Sequence, residues 1–289
     1  MVRPGYAATA PIRASSGSAA AWARSLLTIT ENANAHPATV VPYPDSEMRA
    51  ACGNPHTATA MTSTRERGCA APSHPPIASP VTMPLDLHQL VAPGHTALVL
   101  QEVQNGVVGD ESALPLLAAE AAKRGVVPHC AELARSARAA GVPVVHCTAE
   151  TRADRKGANR NARLFMGAQK SSVQLNPGSA AVQPPEEIGV DPADLVLPRH
   201  HGLGPMTGTE LDPILRNLGV TTIVGVGVSV NVGMTNFAFD AVNRGYQFVM
   251  PRDAVAGVPT EYAEAVLENT LILVATLTTT AAVTSAWRA

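Results

Sequence analysis

From Thr96 onward the apolar residues fall into short runs separated by stretches of helical period; before Thr96 they show no such order. Thr96 to Glu102 (TALVLQE) is an apolar run ending in a carboxylate, the pattern of a strand buried on both faces. Over Val127 to Ala140, the residues Cys130, Leu133, Ala134 and Ala137 recur at i, i+3, i+4 and i+7, which predicts a helix that Gly141 stops. Val142 to Thr148 (VPVVHCT) reads as the second strand, with Pro143 near its start, where a missing N–H is tolerated. The pattern continues with strand Asp194 to Arg199, helix Glu210 to Leu218, strand Thr221 to Val228, helix Val232 to Asn243 and a fifth strand, Tyr246 to Pro251, that closes the sheet. A last helix begins near Thr260, whose hydroxyl can cap it with Glu264 in the first turn. Strand and helix in alternation specify an α/β fold: a mostly parallel sheet with helices on its faces.

Two stretches stand outside this rhythm. Residues 1 to 82 are rich in Ala, Pro, Ser and Thr, include PSHPPIASP from Pro72, and have no period that could bury a face. They read as a disordered N-terminal extension, with Met83 as the functional start and 83 to 289 as the folded domain. Arg3, Arg13 and Arg24 without an acid give the first thirty residues a weaker alternative reading as a transit peptide. The second stretch, from about Ala149 to Asp191, is too long for a simple connector and is a candidate lid or interface.

A net charge of -2 over 289 residues gives no basic surface for nucleic acid, and no run of 18 apolar residues suggests a membrane span. Four cysteines (Cys52, Cys69, Cys130, Cys147) at irregular spacing form neither a zinc pattern nor a disulfide framework, which suits a reducing cytoplasm. The glycines at 225, 227 and 233 do not make G-x-G-x-x-G, so no nucleotide site is read there.

In a parallel sheet, ligands bind beyond the carboxyl ends of the strands, where helix N-termini converge. That rule selects Glu102, His146 to Glu150, Arg199 to His201 and the turn Ser229 to Met234. Glu102 closes an apolar strand and is poorly solvated there, a setting suited to general acid or base work, with Arg199 as a bidentate partner. The turn around Gly233 offers backbone N–H groups as an anion seat, or close packing of helix on sheet. His200 and His201, adjacent on a strand end, should point in opposite directions, and no metal site is read from them or from His146. Cys147 reads as a core cysteine, with His146 on the opposite face.

Three segments carry a family resemblance. ALVLQEVQNGVVG (Ala97 to Gly109) resembles the first strand of isochorismatase-like hydrolases, an apolar run, an acid, an apolar residue and Gln-Asn; Glu102 falls on the acid. VLPRHHGLGPMTGTELDPILRNLGV (Val196 to Val220) resembles their lysine-bearing strand and Thr-x-Leu helix entry, with Arg199 on the lysine. VGVGVSVNVGMTNFAFDAVNRGYQFVMPRDAVAG (Val224 to Gly257) is similar to their cysteine segment, with Gly233 on the cysteine. The resemblance implies a Rossmann-like three-layer sandwich with five or six strands, and an Asp, Lys, Cys triad replaced by Glu102, Arg199 and Gly233. Lys123, Lys156 and Lys170 are the only lysines and none ends a strand, so no substitute triad presents itself. True isochorismatases, which also carry glycine there, hydrolyse a vinyl ether by protonation. By that precedent Glu102 is the acid, Arg199 holds a substrate carboxylate and Gly233 leaves room. Gln104, His146, Glu150, His200, Ser229 and Val232 are expected to bind substrate. Glu exceeds Asp by one bond of about 1.5 Å, and Arg is not equivalent to Lys in a bidentate site. The expectation is a hydrolase of a small anionic metabolite, without metal, cofactor or thiol intermediate, self-associating as similar proteins do. The alternatives are a non-catalytic ligand-binding or assembly module and a thiol amidohydrolase using Cys147.

Overall fold

The computed structural model describes residues 86–288, so the extension predicted over residues 1 to 82 and the start at Met83 lie outside the described residues. Among the described residues seven strands form one sheet: β1 (Thr96–Gln101), β2 (Val144–Ala149), β3 (Leu195–Arg199), β4 (Thr222–Val228), β5 (Gln247–Pro251), β6 (Val255–Ala256) and β7 (Thr276–Thr278). Their order is β3-β2-β1-β4-β5-β7, with β6 beside β4, and every pairing is parallel. β1 lies between β2 and β4, so the winding reverses there, and the crevice of such a fold opens where it reverses.

Alternation along the strands builds two cores. Leu98 and Leu100 of β1 face one side together with Val144, Val224 and Val226, while Ala97 and Val99 face the other with Val145, Ile223 and Phe248. The first side is covered by α1 (Leu87–Leu90), α3 (Pro115–Arg124), α4 (Val126–Ala139) and α9 (Thr280–Arg288); α2 (Asn105–Val108) is a single turn after β1. Cys130, Leu133, Ala134 and Ala137 of α4 are all fully buried against the sheet, the face its periodicity predicted, and Gly141 follows with φ 71°. Trp287 of α9 joins the same core and donates from Nε1 to Val91 O at 2.8 Å. The opposite side is covered by α6 (Leu211–Asn217), α7 (Thr235–Asn243) and α8 (Thr260–Asn269) through Leu211, Leu215, Phe237, Ala241 and Leu267. The result is the three-layer α/β sandwich expected.

The structure corrects three details. The sheet does not end at β5, because β7 adds to its outer edge and β6 to β4; both are too short for a period to announce them. The helix at Thr260 is capped by no side chain: Pro259 is its N-cap and Glu261 its first-turn acid. Glu264 instead accepts from Arg124 at 2.5 Å and from Arg252 at 2.9 Å, tying α8 to α3, and α9 follows as the last helix. The helix predicted from Val232 begins at Thr235, after a π-helical turn over Val230–Met234.

Candidate active site

At the carboxyl ends of β1, β2, β3 and β4 lies a cavity of about 180 Å³, small against the few hundred Å³ usual for ligand pockets. Glu102 enters it directly after β1, Glu150 directly after β2, Arg199 at the end of β3, and Ser229, Val232 and Gly233 from the turn after β4. Glu102 and Arg199 meet: Arg199 Nη2 donates to Glu102 Oε1, with the Arg199 side chain 9% and the Glu102 side chain 16% exposed. Arg199 Nε and Nη1 are buried with no acceptor among the described residues, so the guanidinium fork is only partly used. The Val228–Ser229 peptide is cis.

Backbone geometry sets the same place apart. Among the described residues, Glu102 (φ 53°) and Arg155 (φ 54°) are the two non-glycine residues with left-handed backbone, and both line the cavity. That conformation costs a side-chain-bearing residue of the order of 1 kcal/mol or more and concentrates at functional sites. At Glu102 it turns the chain out of β1 while the backbone N–H still donates to Cys147 O at 2.9 Å.

The excursion after β2 closes over the cavity. Thr151 N–H donates to Leu175 O at 2.7 Å, Gly202 N–H donates to Asn159 Oδ1 at 2.9 Å, and α5 (Arg163–Ala168) brings Leu164 and Phe165 to the wall. Of the four arginines in this segment, Arg152, Arg155, Arg160 and Arg163, only Arg155 lines the cavity; it donates to Gln169 O at 3.2 Å and to Gln174 Oε1. Arg152 is exposed and paired with Asp154 at 2.9 Å. Periodicity could not select Arg155, which lies in a loop, or Leu164 and Phe165, whose helix of six residues is too short to show a period.

His200 and His201, just beyond the end of β3, both line the cavity. Among the described residues no three His, Cys, Asp or Glu side chains converge as a metal site would require.

Two residues expected to bind substrate are placed elsewhere. Gln104 is fully buried; its Nε2 donates to Ala149 O at 3.0 Å and its Oε1 accepts from Ala149 N–H at 2.7 Å, clamping the end of β2. His146 sits 1% exposed on the α4 side of the sheet, with Nε2 3.0 Å from Asp194 Oδ2, and Asp194 in turn pairs with Arg138 of α4 at 2.6 Å. Alternation fixed the face of His146, but not the carboxylate waiting there. Cys147 points to the opposite face, as expected, and does not line the cavity; burial pushes its thiol up to about 12, with the charge of Arg199 pulling the other way. The anion seat read into the turn is partly committed, since Val232 N–H (3.2 Å) and Met234 N–H (2.9 Å) both donate to Ser229 O.

Comparison with known proteins matches the isochorismatase domain to residues 96–282. An isochorismatase family protein of Escherichia coli O157:H7, YecD, is 29% identical over 172 residues, 57% of this chain and 82% of that protein. The ureidoacrylate amidohydrolase RutB of Pseudomonas syringae is 26% identical over 184 residues, 60% of this chain and 75% of its own. The solved structure of an isochorismatase family protein from Burkholderia thailandensis superposes with a TM-score of 0.56 at 28% identity, covering 68% of this chain and 97% of that one. A cysteine hydrolase from Pseudomonas syringae pv. phaseolicola 1448A shares the fold with a TM-score of 0.61 at 23% identity, covering 69% and 95%. The order of strands, the site at their carboxyl ends and the matched span lead to one assignment: this chain belongs to the isochorismatase domain family.

Proposed function

We propose that this protein hydrolyses a small anionic metabolite by acid catalysis from Glu102, without a covalent intermediate, and that an enol (vinyl) ether is the bond class it cleaves. The observation that carries the reading is the Glu102–Arg199 pair inside the cavity, with two guanidinium nitrogens left without an acceptor. Arg199 holds a substrate carboxylate through Nη1, the terminal nitrogen beside the Nη2 that holds Glu102, with the permanent charge of a guanidinium. Glu102 gives a proton to the enol ether carbon, water adds to the resulting oxocarbenium carbon and returns a proton to the Glu102 carboxylate, and the hemiketal collapses to a carbonyl and an alcohol. Gly233 presents no side chain to attack, and the apolar wall of Leu114, Leu117, Leu164 and Phe165 suits a carbon skeleton beside the charged group.

The test is turnover of isochorismate and simpler carboxylated enol ethers by the parent protein and Glu102→Gln. The expected result is a loss of about 10²- to 10⁴-fold in kcat, the usual contribution of a general acid, with the fold intact by circular dichroism. Turnover indifferent to the substitution removes Glu102 from the role.

A second reading, a non-catalytic ligand-binding module, is favoured by the closed Glu102–Arg199 ion pair. It predicts binding of a carboxylate ligand with no turnover of amides or enol ethers.

A further inference from the structure

Behind the cavity lies a residue the mechanism does not use. Gln101, the last residue of β1, is 0% exposed in a strand whose preceding four residues are apolar, and its Oε1 is buried without a partner among the described residues. Its Nε2 makes one long hydrogen bond, 3.4 Å, to Leu203 O in the loop after β3. An amide placed so poorly is costly to keep, since an unpaired buried acceptor gives up its water for nothing. Its position relative to Gly233 supplies a reason.

Gly233 has no left-handed backbone that would demand glycine. It is held to glycine by space: a Cβ there would fall inside the van der Waals envelope of Gln101 Nε2, while lying 3.2 Å from Val228 O and 3.4 Å from Leu203 O. The two carbonyl contacts need only small adjustments. Gln101 Nε2 is the end of a flexible but wholly buried side chain, so admitting a Cβ at position 233 requires the carboxamide to leave the place it holds and give up its hydrogen bond to Leu203 O.

We propose that Gln101 fills the volume any side chain at position 233 needs, so that the Gln101–Gly233 pair, rather than Gly233 alone, closes this site to a thiol nucleophile. Gln101 is thereby a determinant of which reaction class the cavity can support. That position 233 is the nucleophile position rests on the reading above; the steric coupling of the two residues rests on the geometry alone.

A double-mutant cycle tests it. Gly233→Ala in the parent is expected to lower Tm by about 3 to 10 °C, the range for overpacking a domain of this size. In a Gln101→Ala background the same change should cost less than half as much. Equal losses in both backgrounds, or no loss in either, overturn the proposal. Gly233→Cys extends the cycle to chemistry: iodoacetamide followed by mass spectrometry of the peptide containing position 233 should find near-stoichiometric labelling with Gln101→Ala and little without it. Equal labelling in the two backgrounds likewise overturns it. If Gly233→Cys alone does not fold, the alanine cycle decides. Because the cycle measures stability and labelling, it stands or falls separately from enol ether turnover and its dependence on Glu102.

Discussion

Arg199 shows how one side chain can be both structural and receptive. One nitrogen holds Glu102, the other two face no acceptor, and the side chain is 91% shielded, so its charge acts in a poorly screened environment. Lysine would carry the same charge without the fork. Arg199→Lys should therefore keep the protein folded and lower kcat/KM by about 10- to 100-fold, the equivalent of one lost charge-assisted hydrogen bond. The fall should reside mainly in KM, as steady-state kinetics on the carboxylated enol ethers would report; an unchanged KM would argue against Arg199 as the carboxylate anchor. The sequence identified Glu102 and Arg199 because each ends an apolar strand, where position alone implies a site. The hydrogen bonds of the Gln104 amide to Ala149 and Ala181 were not legible, because a motif position does not reveal whether a polar side chain turns toward the cavity or toward the backbone.

At the scale of elements, the site depends on how closely β1 and β4 approach at their carboxyl ends. Gly227 pairs with Gln101, has φ 116°, and a Cβ there would collide with Gln101 O. Gly227→Ala combines backbone strain with overpacking and should cost about 2 to 4 kcal/mol. The check is the urea midpoint, with an unchanged m-value expected if the native and unfolded states keep their compactness; a neutral substitution would mean the two strands can separate without penalty. The five strands that the sequence predicted and the helices over 127–140 and 210–218 lie within one or two residues of those observed, whereas α1, α3 and α9, which also cover the first core, were not read from the sequence. Nor was the π-helical turn at Val230–Met234, since five residues carry too little pattern to separate a widened turn from the start of α7.

Over the whole molecule, the cluster His146, Asp194 and Arg138 joins β2, the entry to β3, and α4. Burial, only partly offset by the hydrogen bond to Asp194, holds His146 below its ordinary 6.5. Burial of Asp194 alone would raise it, but hydrogen bonds from Arg138, the Asp191 N–H and His146 outweigh this and hold its carboxyl below the usual 3.8. Both folded values are depressed, so the signs agree. The fold prefers neutral His146, and the unfolded chain takes up that proton first as pH falls below about 6.5. The stability from ionised Asp194 is present above 3.8 and is lost as pH falls through and below that value. Urea unfolding should show stability insensitive to these groups from pH 7 upward and a decline below about 6.5 of at most about 1.4 kcal/mol per pH unit from His146. His146→Gln, which retains a donor for Asp194, should flatten the first part of that decline; an unaltered profile would place the titration elsewhere.

The sequence by itself determined the α/β alternation, the strands buried on both faces, and the acid and arginine at strand ends, because periodicity and chain-end position are local properties. It also carried the absence of a cysteine in the turn after β4. Strand order, the closing of residues 150–191 over the cavity, and the roles of His146 and Gln104 were decided only by tertiary structure, since each depends on a partner from a distant segment. The same is true of Gly233. As a letter it is a missing nucleophile; beside Gln101, 132 positions earlier in the chain, it is a residue with no room for one.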